Sequence, residues 1–81
     1  MKIKINDTGE IVNVNSAKEF VSWLNKTAKT PSINDFMYMR EYARRAVIMS
    51  NQDIRATSPE EFFEDLLKHK HIKILDAILP N

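Results

Sequence analysis

Two histidines near the C-terminal end are the side chains best suited to chemistry at neutral pH. His69 and His71 are one residue apart and are flanked by lysines. In a strand, this spacing places both rings on one face, where they could share a metal ion. A zinc site needs three or four ligands, however, and nearby lysines repel a cation. We therefore expect no metal site here, and expect these basic residues to offset the negative end of a helix.

Four acidic residues form a second group with possible acid–base chemistry. Glu60, Glu61, Glu64 and Asp65 lie close to a predicted helix start, where acidic residues are common because they stabilise the helix dipole. None falls on an apolar stripe that would raise its pKa into the range of a general acid. We therefore predict no catalytic residues and a protein that is not an enzyme.

Arginines in the middle of the chain give the strongest sign of a binding surface. Arg40 and Arg44 are one helical turn apart, and Glu41 and Arg45 have the spacing of an i, i+4 ion pair. Guanidinium groups make paired hydrogen bonds and are common at protein interfaces. The predicted partner-binding residues combine this group with apolar neighbours and a border tryptophan: Met37, Arg40, Glu41, Arg44, Arg45, Ile48 and Trp23.

Each of these side chains also has a plainer interpretation. The arginines can be solvated residues whose stems cover apolar neighbours, and Met37 and Ile48 can be covered by the hairpin or the C-terminal segment. Trp23 can be either an interface anchor or the edge of the core.

Nucleic-acid binding is the alternative function that the basic residues suggest. A patch of Arg40, Arg44, Arg45 and Arg55 could contact phosphates. The chain has 12 basic and 11 acidic residues and a net charge of +1, however, which weakens any role that depends on phosphate neutralisation. The favoured partner is therefore another protein, whose surface this chain would occupy as a regulator or inhibitor.

Composition excludes several other classes. The chain of 81 residues is predicted to form one domain over its whole length. It has no cysteine, and its one glycine is too few for a phosphate-binding or dinucleotide-binding loop, so we expect no cofactor. No apolar run is long enough to cross a membrane, which makes the cytoplasm the expected location. The abundance of Asn, Lys and Ile is typical of an AT-rich genome, such as that of a phage.

The first fifteen residues are predicted to form a β-hairpin around Gly9. Ile3 and Ile5 alternate with lysines, and Val12 and Val14 flank an asparagine. Type I turn chemistry with a glycine bulge favours a pairing of residue 6 with residue 10. Face matching instead places Ile5 opposite Val12 and Ile3 opposite Val14, and we favour this register because it buries all four side chains.

Two well-marked helix starts follow the hairpin. The first helix begins after Ser16, which forms a capping box with Glu19, and ends near Lys29. A later helix begins after Ser58, where proline and two acidic residues follow, and ends by His69.

The apolar stripes of these two helices predict which sides pack on the core. Ser22 and Asn25 in the first helix and Asp65 in the later one are predicted to face solvent. The stripes consist of Ala17, Phe20, Val21, Leu24 and Ala28, and of Phe62, Phe63, Leu66 and Leu67.

A longer helix is predicted between them, over about residues 33–50. Thr30 and Ser32 are both acceptable caps for it. Its apolar arc covers about half of the circumference, which is typical of a central helix that contacts two neighbours. The arc consists of Phe36, Tyr38, Met39, Tyr42, Ala43, Ala46, Val47 and Met49.

The C-terminal segment has an ambiguous pattern. Ile72 and Ile74 flank Lys73, as in a strand, whereas the spacing of Leu75, Ile78 and the residues around it suits two helical turns. We favour a short helix over residues 72–79. The predicted fold is therefore α+β and mostly helical: an N-terminal β-hairpin packed on three helices, with a short fourth helix at the C-terminal end.

Overall fold

A computed structural model describes residues 1–76, which form a three-stranded antiparallel sheet and three helices. The predicted α+β class, with a hairpin packed on three helices, is confirmed. In chain order the elements are β1 (Lys2–Ile5), β2 (Ile11–Asn13), α1 (Ala17–Thr27), α2 (Asp35–Ser50), α3 (Pro59–Lys68) and β3 (Ile72–Ile74). Within residues 1–76, no helix has both the length and the apolar character needed to cross a bilayer.

The short helix that we favoured after α3 is wrong over its described part, and the alternative of a strand is confirmed over Ile72–Ile74. β3 pairs antiparallel with β1, so that Ile3 lies opposite Ile74 and Ile5 opposite Ile72. β1 has two edges with free backbone groups, and β2 satisfies only one of them. β3 forms hydrogen bonds with the other edge and buries Ile72. This pairing stabilises the segment more than two isolated helical turns would. The rest of the predicted helix, residues 77–79, lies outside the described residues.

The hairpin register differs by two residues from the one we favoured. Ile3 lies opposite Val12, not opposite Val14. A shift of two residues leaves every side chain on its predicted face, so Ile3, Val12 and Val14 are still buried together. Face matching therefore predicts the buried side of the hairpin but does not distinguish these two registers.

A bulge at the turn sets the observed register. The Gly9 N–H donates to the Ile5 carbonyl at 2.8 Å, and the Ile5 N–H donates to the Glu10 carbonyl at 2.8 Å. Gly9 and Glu10 therefore both lie opposite Ile5, and the alternative pairing of Asn6 with Glu10 is also wrong. Gly9 has a φ of +76°, a conformation that side chains with a Cβ disfavour.

Polar caps begin all three helices. Ser16 and Ser58 accept hydrogen bonds from the Glu19 and Glu61 N–H groups, as predicted. The Glu19 carboxylate does not make the return bond of the predicted capping box, so only half of that box is confirmed. The cap of α2 is Asn34, not Thr30 or Ser32.

One apolar cluster joins the sheet to the helices, with α1 lying against both α2 and α3. Phe20 of α1 packs edge-on against Phe63 of α3, with 5.6 Å between ring centroids.

The long helix α2 contacts two helices, as predicted, because it packs on α1 and its Tyr42 ring lies edge-on to Phe62 of α3 with 5.4 Å between centroids. The position between the other two helices is nevertheless occupied by α1 and not by α2. α2 buries only Tyr38, Met39 and Ala46, so much of its broad apolar arc is left outside the core.

Candidate functional site

Exposed apolar side chains concentrate on and beside α2. Residues 1–76 expose eight large hydrophobic side chains, and six of them lie between residues 33 and 49. Their exposed fractions run from 37% to 96%. Isolated exposed apolar residues are ordinary, whereas a contiguous exposed apolar patch is typical of an interaction surface. The six are Ile33, Phe36, Met37, Val47, Ile48 and Met49.

Four of these residues share one side of α2 with two arginines. At about 100° per residue, they fall in a sector of about 120° that faces away from Met39 and Ala46. Two apolar residues lie near each end of the helix, and the arginines lie between them. We call this set the α2 face: Phe36, Met37, Arg40, Arg44, Val47 and Ile48.

The two arginines of the α2 face have no carboxylate partner within residues 1–76. Neither Arg40 nor Arg44 has an acidic oxygen within 4.0 Å among the described residues. The Arg40 guanidinium instead lies 5.7 Å from the centroid of the Phe36 ring, a cation–π contact that keeps its hydrogen-bond donors free. Both side chains are exposed. They can therefore donate to an anionic group on another molecule.

Arg45 and Glu41 lie at the flank of the α2 face and do not form the predicted i, i+4 ion pair. The Arg45 guanidinium lies 5.9 Å from the Tyr42 ring centroid and borders a cavity of about 210 Å³. Glu41 is half-buried and lines a second cavity, which Arg45 also borders.

Trp23 belongs to the edge of the core. Its half-buried ring stacks on Phe20 with a centroid distance of 6.5 Å and an interplanar angle of 12°. It lines a cavity of about 220 Å³ together with residues of the hairpin turn, such as Thr8. Of the seven predicted binding residues, the structure therefore brings together Met37, Arg40, Arg44 and Ile48.

Arg55 is neutralised by acidic residues of α3. Its backbone N–H and Nε donate to the Asp65 carboxylate at 2.8 and 2.9 Å, and a further nitrogen donates to Glu61 at 2.9 Å. Asp65 is buried, contrary to its predicted solvent position, and the Arg55 side chain holds its pKa at about 2. The basic patch of the nucleic-acid alternative therefore loses one of its four residues.

His71 forms a hydrogen-bonded chain with Tyr42 and Gln52. The Gln52 amide oxygen lies 2.5 Å from Nε2, so this nitrogen donates, and Nδ1 accepts from the Tyr42 hydroxyl at 2.7 Å. Burial raises the pKa of Tyr42 to about 12, which keeps its hydroxyl protonated as a donor. His69 takes no part in this chain and caps the C-terminal end of α3.

A polar joint between α1 and α2 fixes how the α2 face is presented. Asn25 is buried, contrary to its predicted solvent position, and its amide oxygen accepts from the Ser32 N–H at 2.8 Å. Its Nδ2 donates to Asp35 at 3.2 Å, and the Ser22 hydroxyl donates to the same carboxylate at 2.5 Å. These bonds attach the first turn of α2 to α1.

Phe36 and Val47 are the members of the α2 face that sequence reasoning assigned to the buried arc. Both are about half exposed, at 49% and 51%. The width of the apolar arc could have predicted this exposure. One neighbouring helix cannot cover so wide an arc, so some of its apolar residues must face solvent or a partner.

Comparison of the chain with protein-family models, curated proteins and solved structures gives no match.

Proposed function

We propose that this protein is a small, non-enzymatic binding module that occupies the surface of another protein through the α2 face, as a regulator or inhibitor would. The observation that supports this proposal is that six of the eight exposed large hydrophobic side chains lie between residues 33 and 49, and that four of these six belong to the α2 face. Interfaces combine such apolar area with arginine, and this composition favours a protein over a nucleic acid as the partner. We place this activity in the cytoplasm, where a chain without cysteine loses nothing to reduction.

Partner capture with paired surface variants tests the proposal. Val47→Ser/Ile48→Ser removes apolar area from the face without adding charge, and we expect it to reduce retention of a specific protein from a nuclease-treated host extract at least about tenfold. Ile11→Ser is the matched control, because Ile11 is an exposed apolar residue of β2, at 57%. The fluorescence of Trp23 reports whether each variant is folded.

Two results would count against a protein-binding α2 face. In one, the double variant retains the protein as well as wild type does. In the other, nuclease treatment removes all captured material and the purified chain is retained on random DNA or RNA at low salt, which would favour the nucleic-acid alternative.

A further inference from the structure

We infer that the partner presents an acidic amphipathic helix to the α2 face, with carboxylates in the middle of the helix and apolar residues towards both ends. This inference rests on the proposed function and specifies its partner. It follows from the order of charge and apolar area along α2, and from the unpaired state of two arginines within the described residues.

The α2 face has three zones along the helix axis. Phe36 and Met37 form one apolar end, and Val47 and Ile48 form the other, at a distance of about 16 Å along the axis. Arg40 and Arg44 lie between them, about 6 Å apart along the axis. A helix laid along this face would therefore contact apolar, then cationic, then apolar surface.

Unpaired cations inside an apolar contact surface require an anionic partner. Burying a guanidinium without a counter-charge is costly, whereas Arg40 and Arg44 paired with carboxylates would become charge-assisted, bidentate hydrogen-bond donors. Each arginine is exposed, and within residues 1–76 neither guanidinium has an acidic partner. Two carboxylates one turn apart on the partner helix would match the two arginines.

A second copy of this chain fits the face poorly. In an antiparallel pair of α2 helices, Arg40 would lie opposite Arg44 of the other copy, and in a parallel pair each arginine would lie opposite itself. Both arrangements place four guanidinium groups in the centre of the contact. Like-charge contacts of this kind oppose association, so the charge pattern selects a different molecule.

A displayed peptide library tests this inference directly. The library consists of amphipathic helices of about 16 residues with leucines near both ends and with the central polar positions varied among Glu, Gln and Lys. Selection on the full chain should enrich Glu over Lys at the central positions about tenfold. The Arg40→Glu/Arg44→Glu variant should reverse the preference and enrich Lys.

The matched control is Lys18→Glu/Lys26→Glu, which changes the net charge by the same amount at exposed positions of α1. It should retain the preference for Glu, because the preference depends on the α2 face and not on net charge. Enriched helices that bind through the α2 face without a preference for Glu would overturn the acidic partner but leave the binding face. The absence of any enrichment above the Val47→Ser/Ile48→Ser variant would contradict the binding face itself.

Sedimentation of the chain alone tests whether a second copy of the chain occupies the α2 face. We expect a monomer at micromolar concentration. A dimer that Ile48→Glu converts to a monomer would assign the face to a second copy and overturn the inference.

Discussion

His71 is held as a neutral ring by hydrogen bonds at both of its nitrogens. Tyr42 donates to Nδ1, and Nε2 donates to Gln52. A second proton on the ring would make Nδ1 a donor, so the Tyr42 hydroxyl would have to accept and its hydrogen would lose this acceptor. Burial lowers the pKa of His71, an effect that Asp7 opposes and His69 reinforces. The histidine singled out for chemistry thus connects β3 to α2 and to the segment that follows α2.

The lowered pKa of His71 predicts a pH-dependent stability. In the unfolded chain the ring binds a proton at a higher pH than in the folded one, so protons favour unfolding. The contribution of His71 to the free energy of unfolding should be complete above about pH 6.5 and lost as the pH falls through the lower, folded pKa. The slope from this one proton cannot exceed about 1.4 kcal/mol per pH unit.

Urea unfolding between pH 5 and pH 8 measures this slope, which His71→Gln should reduce. His69→Gln is the control, since it removes the other histidine and leaves the hydrogen bonds of His71 in place. Equal slopes for wild type and His71→Gln would show that the ring does not carry the pH dependence.

Single residues also mark where sequence reasoning fails for this chain. Asn25 and Asp65 are polar residues at positions that looked solvated, and both are buried because specific partners satisfy them. Hydrophobic periodicity carries no information about such partners, since the groups that pair with them come from elsewhere in the chain.

At the scale of elements, short sequence patterns predicted where the helices begin better than they predicted how the helices and strands pack together. Ser16 and Ser58 cap their helices because the capping chemistry is contained within a few residues. The predicted caps of α2 were wrong, because the helix begins further along the chain and Asn34 accepts from the Met37 N–H. The backbone of Ser32 is bound instead by Asn25, seven residues away. The register of the hairpin depends on a bulge, and the pairing of β3 depends on the free edge of β1. The alternation of apolar residues determines neither of them.

The joint between α1 and α2 makes Asn25 a sensitive position for stability. Asn25→Ala leaves the Ser32 N–H and one Asp35 oxygen without their buried partner. We expect it to lower the free energy of unfolding by about 1–3 kcal/mol, the usual cost of an unsatisfied buried polar group. Urea unfolding measures the loss.

Asn15→Ala is the control for this substitution, because Asn15 is exposed. Its effect should remain within about 0.5 kcal/mol. If Asn25→Ala unfolds at the same urea concentration as wild type, the joint does not hold α2 in place.

At the scale of the molecule, the uneven distribution of charge matters more than the net charge of +1. Acidic side chains of α3 neutralise Arg55, whereas Arg40 and Arg44 remain unpaired among the described residues. Two arginines without an acidic partner within residues 1–76 thus lie where the exposed apolar residues also lie. A surface with both properties suits protein recognition, because the apolar residues supply contact area and the cations supply specificity.

Part of this surface was predictable from the sequence. A helical projection of the sequence shows arginines among apolar residues on one side of the helix. This pattern predicted Met37, Arg40, Arg44 and Ile48. Which half of the broad apolar arc would be covered depends on the position of α1 between its two neighbours, which is a property of the whole fold. The contribution of Phe36 to the face therefore appears only in the structure.

The most direct test of the α2 face is a methyl NMR titration of the folded chain with the protein it captures. We predict that the methyl signals of Met37, Val47 and Ile48 shift or broaden on addition of the partner, while those of Ile11 and Leu75, which are exposed outside α2, remain in place. Shifts confined to Ile11 and Leu75, with the α2 methyl signals unchanged, would contradict the assignment of partner binding to this face.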